Sequence, residues 1–326
     1  MRFKGLDLNL LVALNALLEE RSVTVAAQRV HISQPAMSAA LARLRDYFKD
    51  ELLTAYGKKM IATAKAKQIQ RAIRELLIEI DSVVSMSSRF DPLTSHRQFH
   101  IAASDFIVAL LIGPLIRALA HEAPGIAIEL HRPITATMVA LGRGTMDLVI
   151  IPRNFISPDH PAMSLFMEQH VVVGCRSNPA MSRPMTREVF LRHGQIGVSL
   201  GSDRQPAYAE AQMAQLNHKR RIEVVVSSFT EVAPLIVGTR RLALMHRRLA
   251  ELQAHYLPIT FLPNPFDFPD LEEMVQYHSA RENDSGLIWL RQRIQQTALA
   301  VAVPNKRAKH RRAAPARSGR VVIPSA

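Results

Sequence analysis

The stretch Ile32-Ser33-Gln34-Pro35-Ala36-Met37-Ser38-Ala39-Ala40-Leu41-Ala42-Arg43-Leu44-Arg45 decides how the first part of the chain is read. Ser33 suits a helix N-cap, because its hydroxyl can accept from a backbone N–H of the first turn. Pro35 falls in that same turn, where a missing N–H costs nothing. Met37, Ala40, Leu41, Leu44 and Phe48 then recur at the spacing that gives a helix one apolar face. Gln34, Ser38 and Arg45 fall on the opposite face. A helix with one buried and one small polar face can enter the DNA major groove, where Gln and Arg read base edges and Ser bonds bases or phosphate. An ordinary solvated helix has the same periodicity, so the flanking segments carry the decision.

Upstream, apolar residues at 10, 11, 14, 17 and 18 predict an amphipathic helix over 6–18, and a second short helix fits 24–30. Downstream, two short strand-like runs within 52–63 flank Tyr56-Gly57. Helix, helix, helix, hairpin is the order of a winged helix-turn-helix, expected over residues 1–62. Arg43, Lys49, Lys58 and Lys59 are then placed to meet phosphates, which position a protein without specifying sequence. From Ala62 a run without Gly or Pro predicts a linker helix over 63–90. Its Ala62, Ala66, Ile69, Ile73, Leu76, Ile80 and Val83 alternate steps of four and three, a heptad seam that predicts pairing with a second copy.

Phe90-Asp91-Pro92 marks a boundary. Beyond it, strand-like runs at 99–103, 126–131, 148–151, 171–174, 196–200, 222–226, 241–245 and 274–278 are mostly separated by helical stretches. That alternation predicts an α/β domain over 91–303 with largely parallel sheets. Ligands of such sheets sit beyond the carboxyl ends of strands and near helix N-termini. The candidates are Ser104, Asp105, Pro133, Thr135 and Arg153 in one half, and Ser199, Gly201 and Thr230 in the other. No Walker loop, dinucleotide fingerprint, HExxH pair or GxSxG elbow is present, and the 13 histidines lack metal-ligand spacing. Neither catalysis, cofactor nor metal is expected.

Lys plus Arg number 41 against 28 Asp plus Glu, a formal charge of +13. The excess sits at the ends: 14 against 9 in residues 1–90, 20 against 19 in 91–303, and 7 against 0 in 304–326. Basic ends on a neutral body suit a polyanion binder with a separate neutral module. The tail 304–326, rich in Arg, Lys, Ala and Pro, is expected to be disordered. One cysteine, Cys175, excludes an intramolecular disulfide and fits a reducing compartment. Asp7, Asn9 and Asn15 interrupt the first apolar run, and the stretch 106–120 is short and carries Arg117. No membrane span is implied, and a cytoplasmic protein is expected.

The segments Leu6-Asp7-Leu8-Asn9-Leu10-Leu11, Ser22-Val23-Thr24-Val25-Ala26-Ala27, Ile32 to Ser38 and Leu41 to Arg45 together resemble the DNA-binding segment of LysR-type transcription regulators. Further likeness lies at 219–226, Phe229-Thr230, Gly238-Thr239 and 288–291. By position in that motif, Ser33, Gln34, Pro35, Ser38 and Arg45 would contact DNA. The resemblance implies a winged helix-turn-helix and linker helix followed by an effector domain of two subdomains like periplasmic binding proteins. These would be subdomain I over 91–162 and 267–303, and subdomain II over 163–266. It further implies a homodimer or homotetramer on a double-stranded operator, a small aromatic inducer in the cleft, and RNA polymerase as a partner. The opening 1–14 is similar to the branch that controls nodulation genes, which implies a flavonoid inducer. A regulator of another aromatic-compound pathway, or a ligand-binding protein with degenerate DNA binding, are the alternatives.

Overall fold

The computed structural model describes residues 2–3, 6–57, 59–86, 90–201, 204–216 and 220–302. The basic tail expected at 304–326 lies outside them. The first part folds as α1 (Asn9–Glu20), α2 (Val23–Arg29), α3 (Gln34–Phe48) and a hairpin of β1 (Leu53–Tyr56) with β2 (Lys59–Ala62). Ser33 Oγ accepts from the Ala36 N–H at 3.3 Å, and α3 stops at Lys49, whose φ of 52° breaks the helix. Leu14, Leu17, Met37, Leu44, Leu52 and Leu53 are fully buried in one core, which fixes the three helices and the wing as a unit. Tyr56 pairs with Lys59, so the wing turns in two residues; Gly57, at φ +61°, supplies the left-handed conformation that such a turn requires.

The linker helix α4 spans Ala64–Met86. Thr63 caps it, accepting from the Ala66 N–H at 3.1 Å while its hydroxyl donates to Asp50 at 2.7 Å. The expected seam is not one surface. Ala66 and Ile73 are buried in the helix-turn-helix core, Ile69 packs against it, and Arg74 pairs with the buried Glu19 at 3.2 Å. Leu76, Ile80 and Val83 stay exposed, at 41%, 39% and 65%. On the other side, buried Ile78 packs against Gly144, where an added Cβ would lie 2.7 Å from its Cδ1. Asp81 reaches Arg281 at 3.5 Å.

Two mixed sheets follow. The first is ordered β4-β3-β5-β12-β6, from β3 (Gln98–Ala103), β4 (Ala127–His131), β5 (Leu148–Pro152), β6 (Ala162–Glu168) and β12 (Leu271–Gln276). The second contains β7 (His170–Cys175), β8 (Gln195–Leu200), β9 (Ile222–Val226), β10 (Leu242–His246) and β11 (Ile259–Pro263), with β8, β10, β7 and β11 side by side and β9 also on β8. The expectation of largely parallel sheets is corrected. β3 is parallel to β4 and β5, and β8 to β9 and β10, but β12 runs antiparallel to β5 and β6, and β7 to β10 and β11. The chain crosses between the sheets twice, and each crossing feeds in a reversed strand. The division expected at 162/163 also moves, because β6 pairs with β12 and holds residues through Glu168 in the first subdomain.

The helix Ser285–Ala302 closes the first subdomain with Leu287, Leu290, Ile294 and Ala298 fully buried at helical spacing. Arg97 clamps Asp284 at its start through two bonds of 2.6 and 2.8 Å. The two inner faces share one apolar core, so the cleft between the subdomains has a packed floor.

Candidate DNA interface and effector cavity

On α3, Gln34 and Ser38 are exposed and joined, the amide Nε2 donating to the hydroxyl at 3.2 Å. Ala36, Ala39 and Ala42 beside them are exposed and small, which lets the helix backbone approach a groove wall. The run of alanines on this face is legible in the sequence itself. Ser33 spends its hydroxyl on the cap, and Pro35 is exposed in the first turn. Arg43 is exposed with Asp7 at 3.6 Å. Arg45 is turned toward the wing: its guanidinium donates to the carbonyls of Glu51 at 2.8 Å and Leu53 at 2.7 Å. Those bonds hold the base of the hairpin against α3. Lys59 opens β2, Lys58 lies outside the described residues, and Tyr56 at the wing tip is 74% exposed, a contact candidate that pattern reading did not single out.

Between the two sheets lies a cavity of about 290 Å³, near the lower end of small-molecule sites. Of the expected effector residues, Ser104, Pro133 and Gly201 line it. Thr135 begins the helix Thr135–Gly142, whose Thr137 and Met138 line it. Ser199 sits next to the lining residue Leu200, and Arg153 is drawn away into an ion pair with Glu272. Asp105 and Thr230 do something else. Asp105, in the first subdomain, accepts from the Ser228 hydroxyl and the Thr230 N–H, both at 2.7 Å and both in the second. Burial pushes the Asp105 carboxyl up, but these bonds to its charged form outweigh that and hold it below the usual range. They form a latch between the subdomains.

Phe155, Tyr208, Phe229, His246 and Glu273 also line the cavity, and none was singled out from the sequence. Phe106 stacks on His246 at 4.0 Å between centroids, and His170 lies 4.7 Å from the same ring. Burial lowers both imidazoles, His170 to about 4, and neither Nδ1 has a hydrogen-bond partner. The Glu273 carboxyl, 2% exposed, is pushed up to about 8 by burial and then by Glu168 nearby. Its Oε2 has no hydrogen-bond partner. Glu168 is itself raised by burial, against the pull of Arg248 at 2.7 Å. The cavity thus presents aromatic faces, the neutral imidazole of His246 with that of His170 beside it, and a protonated acid rather than charge.

The first part of the chain is thus a helix with an exposed small-residue face on a winged scaffold, and the second a pair of sheets with a cavity between them. Residues 8–67 match the bacterial regulatory helix-turn-helix family of lysR type, and 94–299 match the LysR substrate binding domain. The chain belongs to the LysR family of transcription regulators. It is 39% identical to Nodulation protein D 1 of Rhizobium tropici, over 94% of this chain and 99% of that one. With Nodulation protein D 1 of Bradyrhizobium sp. (strain NC92) it shares 40%, over 96% and 99%. Among solved structures, a probable transcriptional regulator from Pseudomonas aeruginosa superposes with a TM-score of 0.60 at 26% identity, over 90% of this chain and 97% of that one. A full-length OxyR variant from the same species gives 0.68 at 18%, over 90% and 94%, a likeness of fold. Among the described residues, no helix is long and apolar enough to cross a membrane.

Proposed function

We propose that this regulator reads a small aromatic inducer of the flavonoid class between its α/β subdomains and controls nodulation genes. The cavity carries the reading: it is flanked by Phe155, Tyr208 and Phe229, and burial keeps the His246 imidazole and the Glu273 carboxyl on its wall neutral. That lining favours a flat, uncharged ligand with hydroxyl or carbonyl groups. The relatives named Nodulation protein D support nodulation genes as the target. The protein works in the cytoplasm as a homodimer or a pair of dimers on an inverted-repeat operator, and in contact with RNA polymerase. A ligand shifts a conformational balance only by its differential affinity for the two states. Titration with a flavonoid panel should therefore change the operator footprint or bend angle at constant occupancy. Inducer binding that maps to residues 1–90, or no flavonoid binding at all, contradicts the proposal.

The same reading assigns Gln34 and Ser38 to base edges. Replacing either with alanine should cost about 1–3 kcal/mol of discrimination between operator and random DNA. Arg45→Ala, which unseats the wing, should weaken both kinds of DNA together. Competition binding measures the ratio; an unchanged ratio for Gln34→Ala removes α3 as the reader.

A further inference from the structure

The outer edge of the first sheet carries a cluster that neither DNA binding nor effector sensing uses. In the parallel pairing of β3 with β4, His100 is the partner of Glu129, and Ala102 the partner of His131. Cross-strand partners face the same side, and residues two apart on a strand share a face. His100, Glu129 and His131 therefore stand together. His100 Nδ1 lies 3.3 Å from His131 Nε2 and 3.6 Å from one carboxylate oxygen of Glu129, and His131 Nε2 lies 3.2 Å from the other.

We propose that His100, Glu129 and His131 bind a borderline divalent transition-metal ion, with Zn²⁺ as the reference case. An ion held tetrahedrally by nitrogen and oxygen at about 2.0–2.1 Å needs donors about 3.3 Å apart. The separations of 3.3, 3.6 and 3.2 Å are close to that spacing but run among four atoms, because each imidazole faces a different oxygen of Glu129. One ligand atom from each residue lies within 4.8 Å of the other two, so a single carboxylate oxygen turned toward both nitrogens completes one face of the tetrahedron. Hydrogen bonding serves the same triangle poorly: a proton placed between the two imidazole nitrogens cannot also serve the carboxylate, whereas one ion takes a lone pair from each group. Gln98 Nε2 donates to Glu129 Oε2 at 2.7 Å and orients the carboxylate, the part an outer partner plays at metal sites. The side chains are 35%, 48% and 35% exposed, for His100, Glu129 and His131, so one coordination position faces water. Imidazole with carboxylate selects Zn²⁺, Ni²⁺ or Cu²⁺ over the oxygen-seeking Mg²⁺ and Ca²⁺.

Such an ion would tie the edge strand β4 to β3. The His100 N–H donates to Asp147 at 2.8 Å, Asp147 holds Arg281 at 2.5 Å, and Arg281 is the residue that reaches α4. The site thus sits at one end of a bonded chain that ends on the linker helix.

Calorimetric titration of the full chain with ZnCl₂ tests this against the double variant His100→Ala with His131→Ala. The wild type should bind one more ion per chain than the double variant, and Zn²⁺ should raise its melting temperature while leaving that of the double variant unmoved. Glu129→Gln, which keeps both imidazoles, should weaken that site roughly tenfold or more. Excess Mg²⁺ should not compete. Identical Zn²⁺ isotherms for wild type and double variant overturn the proposal. Should the double variant not melt cooperatively, unchanged Zn²⁺ affinity in Glu129→Gln overturns it instead.

Discussion

Replacing Glu273 with glutamine is expected to remove a large part of the fall in this protein's stability as pH rises from 4.5 to about 8. Burial pushes the carboxyl up to about 8 in the folded chain from its ordinary value of 4.5. A raised acid leaves stability intact below pH 4.5, and that stability is lost progressively as pH rises through 8, because the unfolded chain releases the proton first. Each unit of difference is about 1.4 kcal/mol, so the loss reaches on the order of 3 kcal/mol at pH 7 and 5 kcal/mol above pH 8. Glutamine keeps the shape and carries no proton to lose. The acid side has a different owner. His170, lowered to about 4 from 6.5, contributes stability present above pH 6.5 and lost as pH falls toward 4. Urea unfolding at pH 5, 7 and 8.5 should show variant and wild type diverging only as pH rises. Parallel profiles would mean that Glu273 is ionised when buried, against its unpartnered oxygen.

Two charges placed on the linker helix should have opposite consequences. Ile73→Asp puts a carboxylate into the helix-turn-helix core, where Ile73 is buried with Leu14, Leu17 and other apolar side chains. An uncompensated buried charge costs on the order of 3–5 kcal/mol, enough to unfold the DNA-binding part before dimerisation enters. Val83, at 65% exposure, bears nothing comparable within the monomer. Val83→Asp should stay within about 0.5 kcal/mol of wild type in a melt, yet shift sedimentation toward monomer, because Leu76, Ile80 and Val83 are what remains for a second copy. If Val83→Asp sediments like wild type, the dimer is built elsewhere.

That contrast marks where sequence reading succeeds and where it stops. The α3 helix was legible because its cap, its proline and its buried face are local, set by neighbours within a few positions. The stripe on α4 was equally legible as a stripe. Periodicity reports which side of a helix is apolar and not which body covers it, so the division between Ile73 and Leu76 could not be read. The same limit hid β6, whose pairing with β12 joins segments about a hundred residues apart. In the cleft, the rule that ligands sit at strand ends points to Ser104, Pro133 and Gly201, which line the cavity. It also proposed Asp105 and Thr230, whose chemistry turned out to serve each other. Tyr208, His246 and Glu273 escaped because each is an ordinary residue of its own segment. His100 and His131 escaped for a related reason: 31 residues separate them, and only strand pairing makes them neighbours.

The linker helix is held on the reader side by the Thr63 cap on Asp50, by buried Ala66 and, midway, by Arg74 to Glu19, and on the sensor side by Ile78 to Gly144 and Asp81 to Arg281. A rod gripped in this way acts as a lever arm. Its 23 residues at about 1.5 Å each give roughly 35 Å of reach. A tilt of about 5° at the sensor end would displace the far end by roughly 3 Å, close to the ~3.4 Å rise of one base pair. On the proposed reading of α3, a tilt of that size is large enough to change which step of the duplex the helix meets.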